Sequence, residues 1–249
     1  MRMFASVVAV LLLQLSLVTP AGAQASGTVL VTGANRGLGL EFASQLQARG
    51  FKVIGTARNP EKAAALKATG ARVEQLDVAS QASVDALAET LKGVPIDILI
   101  NNAGMAIRED SSLDTLDFDA MVRTFQVNSL GPLRVTQALL PNLEAGQDKT
   151  VINITSRLGS IELSTGGLYS YRTSKTALNQ INKIMSVELA PRGYIVLAMH
   201  PGWVQTDMGG AEATLTIPES ITGMLKVIDG LTVEQSGKFY DFSGEELPW

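Results

Sequence analysis

"TVLVTGANRGLGLEF", Thr28 to Phe42, is the stretch on which the fold turns. Thr28 to Thr32 reads as a short buried strand, three glycines follow at Gly33, Gly37 and Gly39, and a helical pattern opens at Leu38. A strand that turns through glycines into a helix is the first half of a strand-helix-strand unit. Glycine permits the tight turn and lets backbone N–H groups approach a ligand, and the helix N-terminus adds partial positive charge at the same point. The turn therefore suits a phosphate group. Its spacing is G-x-x-x-G-x-G, not the commoner G-x-G-x-x-G, and a plain strand-to-helix turn would look similar. The surrounding chain has to decide.

Outward from this stretch, short apolar runs alternate with segments of helical period. The strand candidates are Thr28–Thr32, Lys52–Ala57, Arg72–Asp77, Ile96–Asn102, Thr150–Thr155 and Tyr194–His200. The helix candidates are Leu38–Arg49, Pro60–Ala68, Gln81–Leu91, Phe118–Leu140 and Tyr169–Leu189. Most of the runs are apolar on both faces, as parallel strands covered by helices on each side must be. The pattern predicts an α/β fold: a single doubly wound, Rossmann-type domain over residues 26–249, with a mostly parallel sheet of about seven strands flanked by helices. In such sheets ligands bind outside the carboxyl ends of the strands. Here those ends carry "TGANRG", "TARNP", "LDVAS", "NNAG", "TSRLG" and "HPGWVQT", which predicts one long cleft.

Composition removes several alternatives. With 20 basic and 24 acidic residues in 249, net charge -4, and no basic run, the chain offers no electrostatic footprint for nucleic acid. It has no cysteine, which excludes disulfides, thiolate catalysis and cysteine-ligated zinc. Residues 1–25 read as a signal peptide: Arg2, an almost wholly apolar run from Met3 to Val18, then "TPAGAQA" with small residues in the A-x-A relation. At about 16 residues the run is short for a membrane span, so no stable span is expected unless this segment stays on as an anchor. The expected location is periplasmic or secreted; a cytoplasmic protein with a misread upstream start is the alternative.

At the end of the second strand a carboxylate would bind the 2′-hydroxyl of NAD. The chain has "GTARNP" there instead, with Arg58 and no acid. Arg58, joined by Arg36 from the glycine turn, supplies charge for a 2′-phosphate, so NADP(H) is favoured over NAD(H).

Proton transfer is suggested by "LYSYRTSK", Leu168 to Lys175. Residues four apart share a helix face, so Tyr171 can share a site with Lys175, while Tyr169, six away, diverges. A nearby ammonium favours phenolate and brings a tyrosine towards the range useful for acid–base work. Ser156, in "INITSRLGS", could hydrogen-bond the same substrate oxygen or simply cap a turn. Asn128 lies inside a long helical pattern, where asparagine competes for backbone hydrogen bonds. It marks either a kink or an anchor for water. The single His200 has no ligand companions, so no metal site is expected.

Together, "TGANRGLG", "NNAG", Asn128, Ser156, "YRTSK" and "HPGWVQT" resemble the short-chain dehydrogenase/reductase family, in order and at compatible intervals, from Gly27 onward. "GGLYSYRTSKTALNQ", "HPGWVQTDMGG" and "GEELPW" look like its C-factor and sniffer-like carbonyl reductase group. The resemblance implies a reductase of small aldehydes or ketones, or an exported nucleotide-binding signalling protein of the C-factor type. It also implies roles. Tyr171 would be the acid/base, Ser156 would orient the carbonyl, Lys175 would act on Tyr171 and the nicotinamide ribose, and Asn128 would hold a relay water. Gly33, Gly37 and Gly39 would cradle the pyrophosphate, and Asn35, Arg36, Leu38 and Arg58 would also bind the cofactor. Asp77 and Val78 would flank the adenine, Asn102, Ala103 and Gly104 would line the adenosine side, and Pro201, Gly202, Val204 and Thr206 would hold the carboxamide. A homodimer or homotetramer is expected by the same analogy. The interval from Ser156 to Tyr171 is two residues longer than the family's, which leaves Ser160 and Ser164 as alternatives to Ser156.

Overall fold

The computed structural model describes residues 27–107 and 112–249. The signal peptide assigned to residues 1–25 lies outside them. Seven parallel strands form one sheet in the order β3-β2-β1-β4-β5-β6-β7. They are β1 (Thr28–Val31), β2 (Lys52–Ala57), β3 (Arg72–Gln75), β4 (Ile98–Asn101), β5 (Thr150–Ile154), β6 (Ile195–His200) and β7 (Phe239–Asp241). The helices are α1 (Gly37–Ala48), α2 (Ala64–Ala68), α3 (Gln81–Thr90), α4 (Phe118–Phe125), α5 (Gly131–Ala138), α6 (Leu140–Ala145), α7 (Tyr169–Leu189) and α8 (Ile217–Asp229).

The two apolar faces expected of the strands are both used. Val29 and Val31 pack with Phe42 and Leu46 of α1 and Met224 and Leu225 of α8. Leu30, between them, points the other way, among Val84 and Leu87 of α3, Val135 of α5 and Met185 of α7. The order reverses between β1 and β4, and that switch point is where the carboxyl ends of the strands open a crevice. Among the described residues, no helix is long and apolar enough to cross a membrane.

Two helix expectations need correction. Pro60–Ala68 is not one helix: Pro60–Lys62 forms a 3-10 turn, and α2 begins only at Ala64 after Ala63 leaves helical geometry (φ -97, ψ 44). Phe118–Leu140 is interrupted by a π turn at Gln126–Leu130 between α4 and α5. Pro132 has no N–H, so it cannot supply the i→i−4 bond that the Asn128 carbonyl would receive in an α-helix, and the coil widens there. The Arg134 guanidinium bonds the Gln126 carbonyl at 3.3 Å, covering part of the disturbed turn. Helix α8 and strand β7 have no counterpart among the helix and strand candidates.

Candidate active site

The glycine turn is built for close approach. Gly33 and Gly37 sit at φ +64 and +55, where side chains are strained. A Cβ on Gly39 would lie 2.4 Å from the Gly33 carbonyl oxygen and 2.6 Å from Asn102 Nδ2. Asn102 locks the turn by donating from Nδ2 to the Thr32 carbonyl at 2.9 Å, while the backbone N–H groups of Asn102 and Ala103 both donate to Thr32 Oγ1 at 3.0 Å. Thr32 was missed in the sequence; a hydroxyl at a strand end looks like any turn residue. Helix α1 has no side-chain cap and no acid in its first turn, so its leading N–H groups remain available to an anion. Asn35 and Arg36 are exposed here, Leu38 is half-buried, and Arg58 stands exposed at the end of β2.

Arg36, expected beside the cofactor's phosphates, pairs its guanidinium with Asp207 on the loop after β6. Asp77 accepts from the Ala79 N–H at 3.0 Å and so shapes the turn after β3. Val78 is buried against Gly131, where a Cβ would come within 2.9 Å of it. After β6, Ser220 donates to the Pro201 carbonyl at 2.6 Å, and Gly202 takes φ +84 in a space closed by Leu215 and Phe242. Val204 is buried. Thr206 Oγ1 accepts from the Gly209 N–H at 3.0 Å, and Trp203 Nε1 donates to the Gly209 carbonyl at 2.9 Å, which folds this loop on itself.

The proton-transfer residues converge on α7. Gly166, Gly167 and Leu168 all have positive φ (84, 70 and 50), and this reversal delivers Tyr171 on the first turn of the helix. Lys175 is buried, its Nζ lying 5.8 Å from the Tyr171 ring centroid and donating to the Ile154 carbonyl at 2.8 Å. Burial lowers its pKa to about 8. A Cβ on Gly104 would fall 3.4 Å from Asn128 Oδ1 and 3.7 Å from Lys175 Nζ, so the loop after β4 reaches the same spot.

Asn128 is fully buried in the π turn. Its Oδ1 accepts from the Met105 N–H at 2.9 Å, and its Nδ2 donates to the Met105 carbonyl at 2.8 Å and to Ser174 Oγ at 3.0 Å. Both amide protons are thus spent on holding the β4 loop to α7.

Ser156 is buried at the end of β5, and its Oγ accepts from the Leu158 N–H at 3.1 Å to cap the 3-10 turn Arg157–Gly159. The cap uses an oxygen lone pair, leaving the hydroxyl proton to be donated. Both flanks of Ser156 are tied to α7: Thr155 donates to Asn179 Oδ1 at 2.7 Å, and the Gly159 carbonyl accepts from Thr176 Oγ1 at 2.9 Å. The alternatives fare differently. Ser160 Oγ donates to the Trp249 main-chain oxygen at 3.1 Å and accepts from the Leu163 N–H at 3.2 Å, so it is an internal brace. Ser164 is exposed on the loop. Trp249, which also receives the Glu162 N–H at 3.1 Å and stacks on Phe239 at 5.5 Å, was not foreseen as the anchor of this loop.

His200 is held neutral: burial brings its pKa down to about 4, with Asp241 opposing and Arg157 adding to the shift. Among the described residues there is no cluster of three or more His, Asp or Glu suited to a metal ion.

The family profile described as short chain dehydrogenase matches residues 27–214, and the chain belongs to that family of oxidoreductases. Among its relatives, the C-signal of Myxococcus xanthus is 53% identical over 156 residues, which is 62% of this chain and 93% of that protein. The NADPH-bound carbonyl reductase from chicken fatty liver superposes with a TM-score of 0.84 at 36% identity, covering 90% of this chain and 99% of that one. Carbonyl reductase Sniffer of D. melanogaster does so at 0.85 and 32%, covering 90% and 100%.

Proposed function

We propose that the protein is an NADP(H)-dependent carbonyl reductase acting on small aldehydes or ketones, with Tyr171 as general acid/base. The observation that carries this is the gathering of Tyr171, Asn128 and Gly104 about the buried Lys175 ammonium, which donates to the Ile154 carbonyl. The NADPH-bound chicken enzyme supports the cofactor assignment.

The residues fit the cofactor: Gly33 and Gly37 in left-handed backbone, a crowded Gly39 and an uncapped α1 make a cradle that a Cβ would fill. Gly33, Asn35, Arg36, Gly37, Leu38 and Gly39 would hold the pyrophosphate side, and Arg36 and Arg58 the 2′-phosphate. Asp77 and Val78 would flank the adenine, Asn102, Ala103 and Gly104 would line the cleft, and Pro201, Gly202, Val204 and Thr206 would receive the carboxamide. When bound, NADPH supplies the hydride.

The chain supplies position and protons. Ser156 Oγ donates to the substrate oxygen and fixes the carbonyl, and Tyr171 gives that oxygen its proton. Lys175 favours the phenolate left behind. Asn128 pins Met105, and the proton returns to Tyr171 through water held at the second lone pair of Asn128 Oδ1 or at its main-chain carbonyl. Fluorescence titration with NADPH and a broad aldehyde and ketone panel test the reading; no binding and no turnover would end it.

The identity with the C-signal favours a second reading, an exported nucleotide-binding signalling protein in which turnover is secondary. It requires that Tyr171→Phe keep the signal. Export through residues 1–25 is checked by N-terminal sequencing of the mature protein. We also propose a homodimer or homotetramer that associates through α4 and α7, whose Phe118, Val122, Ile184 and Val187 are exposed at 70, 58, 53 and 64%.

A further inference from the structure

Arg36 and Asp207 are 171 residues apart in sequence, yet they form an ion pair between the glycine turn before α1 and the loop after β6. The loops themselves approach: a Cβ on Gly37 would lie 4.0 Å from Thr206 Cγ2. Both partners are open to solvent, at 70% and 82% side-chain exposure, so charge rather than packing joins them. Arg58 is exposed and makes no ion pair among the described residues.

We propose that Asp207 is a specificity-tuning residue that competes with the 2′-phosphate of NADP(H) for Arg36; the proposal rests on the cofactor reading above. A guanidinium engages an oxyanion through its planar fork, so the contacts given to a carboxylate are withheld from a phosphate. A 2′-phosphate carries more charge and more acceptor oxygens than a carboxylate, and it displaces Asp207. The 2′-hydroxyl of NAD(H) offers no comparable group and leaves the pair intact. Asp207 thereby taxes NADP(H) more than NAD(H) and blunts a preference that Arg36 and Arg58 would otherwise make steeper. Because Asp207 adjoins Thr206, the exchange also releases the tether between the glycine turn and the loop assigned to the carboxamide, at the moment the phosphate seats.

The test is a double-mutant cycle on the full chain: Kd for NADPH and for NADH in wild type, Asp207→Asn, Arg36→Ala and the double variant. Asp207→Asn is expected to tighten NADPH roughly 2- to 5-fold, the range an exposed ion pair commands, with a smaller change for NADH. In the Arg36→Ala background the same substitution should treat the two cofactors alike. Equal tightening of both cofactors in the presence of Arg36 would mean only a lost background charge and would overturn the proposal. Weaker NADPH binding would overturn it too, making the pair a strap that closes over bound cofactor. In either case tight NADPH binding by wild type leaves the cofactor reading standing. Failure of wild type to bind NADPH removes that reading and the proposal together.

Discussion

At Lys175, burial and function pull against each other. Desolvation lowers its pKa to about 8, while the Ile154 carbonyl and the Tyr171 ring both favour the ammonium. The charged form therefore prevails at neutral pH and is lost as pH rises through about 8. Carbonyl reduction is accordingly expected to hold its kcat/KM near pH 7 and to fall above about 8, and Lys175→Met should lower the neutral plateau and remove that step. A pH–rate profile of both proteins checks this. That Tyr171 lies beside Lys175 was legible from helical spacing alone, because α7 runs unbroken from Tyr169 to Leu189. What Asn128 does was not legible: the sequence showed an asparagine in a helical pattern, but not that Met105 would lie across the turn to take its amide.

Among the elements, α7 and the 3-10 turn after β5 form one unit, joined at Gly159. A Cβ there would meet the Lys175 backbone carbon at 2.8 Å and its Cβ at 2.9 Å. Gly159→Ala should force the turn away from α7, at a cost of about 1–3 kcal/mol in stability. It should also lower kcat by displacing Ser156 relative to Lys175; denaturant midpoints and steady-state kinetics read the two effects. Helix α8 provides the contrast. Its capping box joins Thr216 and Glu219, and Thr216→Ala should cost about 1 kcal/mol in the same denaturation assay without moving kcat. That Thr-x-x-Glu signature stood in the sequence at the head of an apolar run and could have disclosed α8. Strand β7 could not have been found this way, since three residues are too few to show a period. The strands at the centre of the sheet were readable because burial on both faces demands continuous apolar runs. The π turn was half-readable: "NSLGP" carries the proline that breaks the ladder, but only the fold shows Gly131 yielding space to Val78.

Across the whole molecule, the seven parallel strands all end along one edge of the sheet, so residues from Gly33 to Thr206 come to the same side of the fold. His200, at that edge, also links the fold to pH. Its pKa falls from 6.5 unfolded to about 4 folded, so the unfolded chain binds the extra proton between those values. Stability should therefore decline as pH drops below 6.5, and His200→Gln should lessen the decline seen in urea midpoints between pH 7 and 4.5. With α4 and α7 as the proposed subunit face, Ile184→Glu with Val187→Glu should yield monomers by light scattering, since each places charge in an exposed apolar patch that association would bury. The central claim concerns the proton on Tyr171, and Tyr171→Phe isolates it by removing one oxygen. The decisive measurement is NADPH affinity together with turnover of an aldehyde or ketone that the wild-type protein reduces. The account predicts affinity within about twofold of wild type and turnover lowered by roughly 10²–10⁴. Turnover preserved in the phenylalanine variant would contradict it.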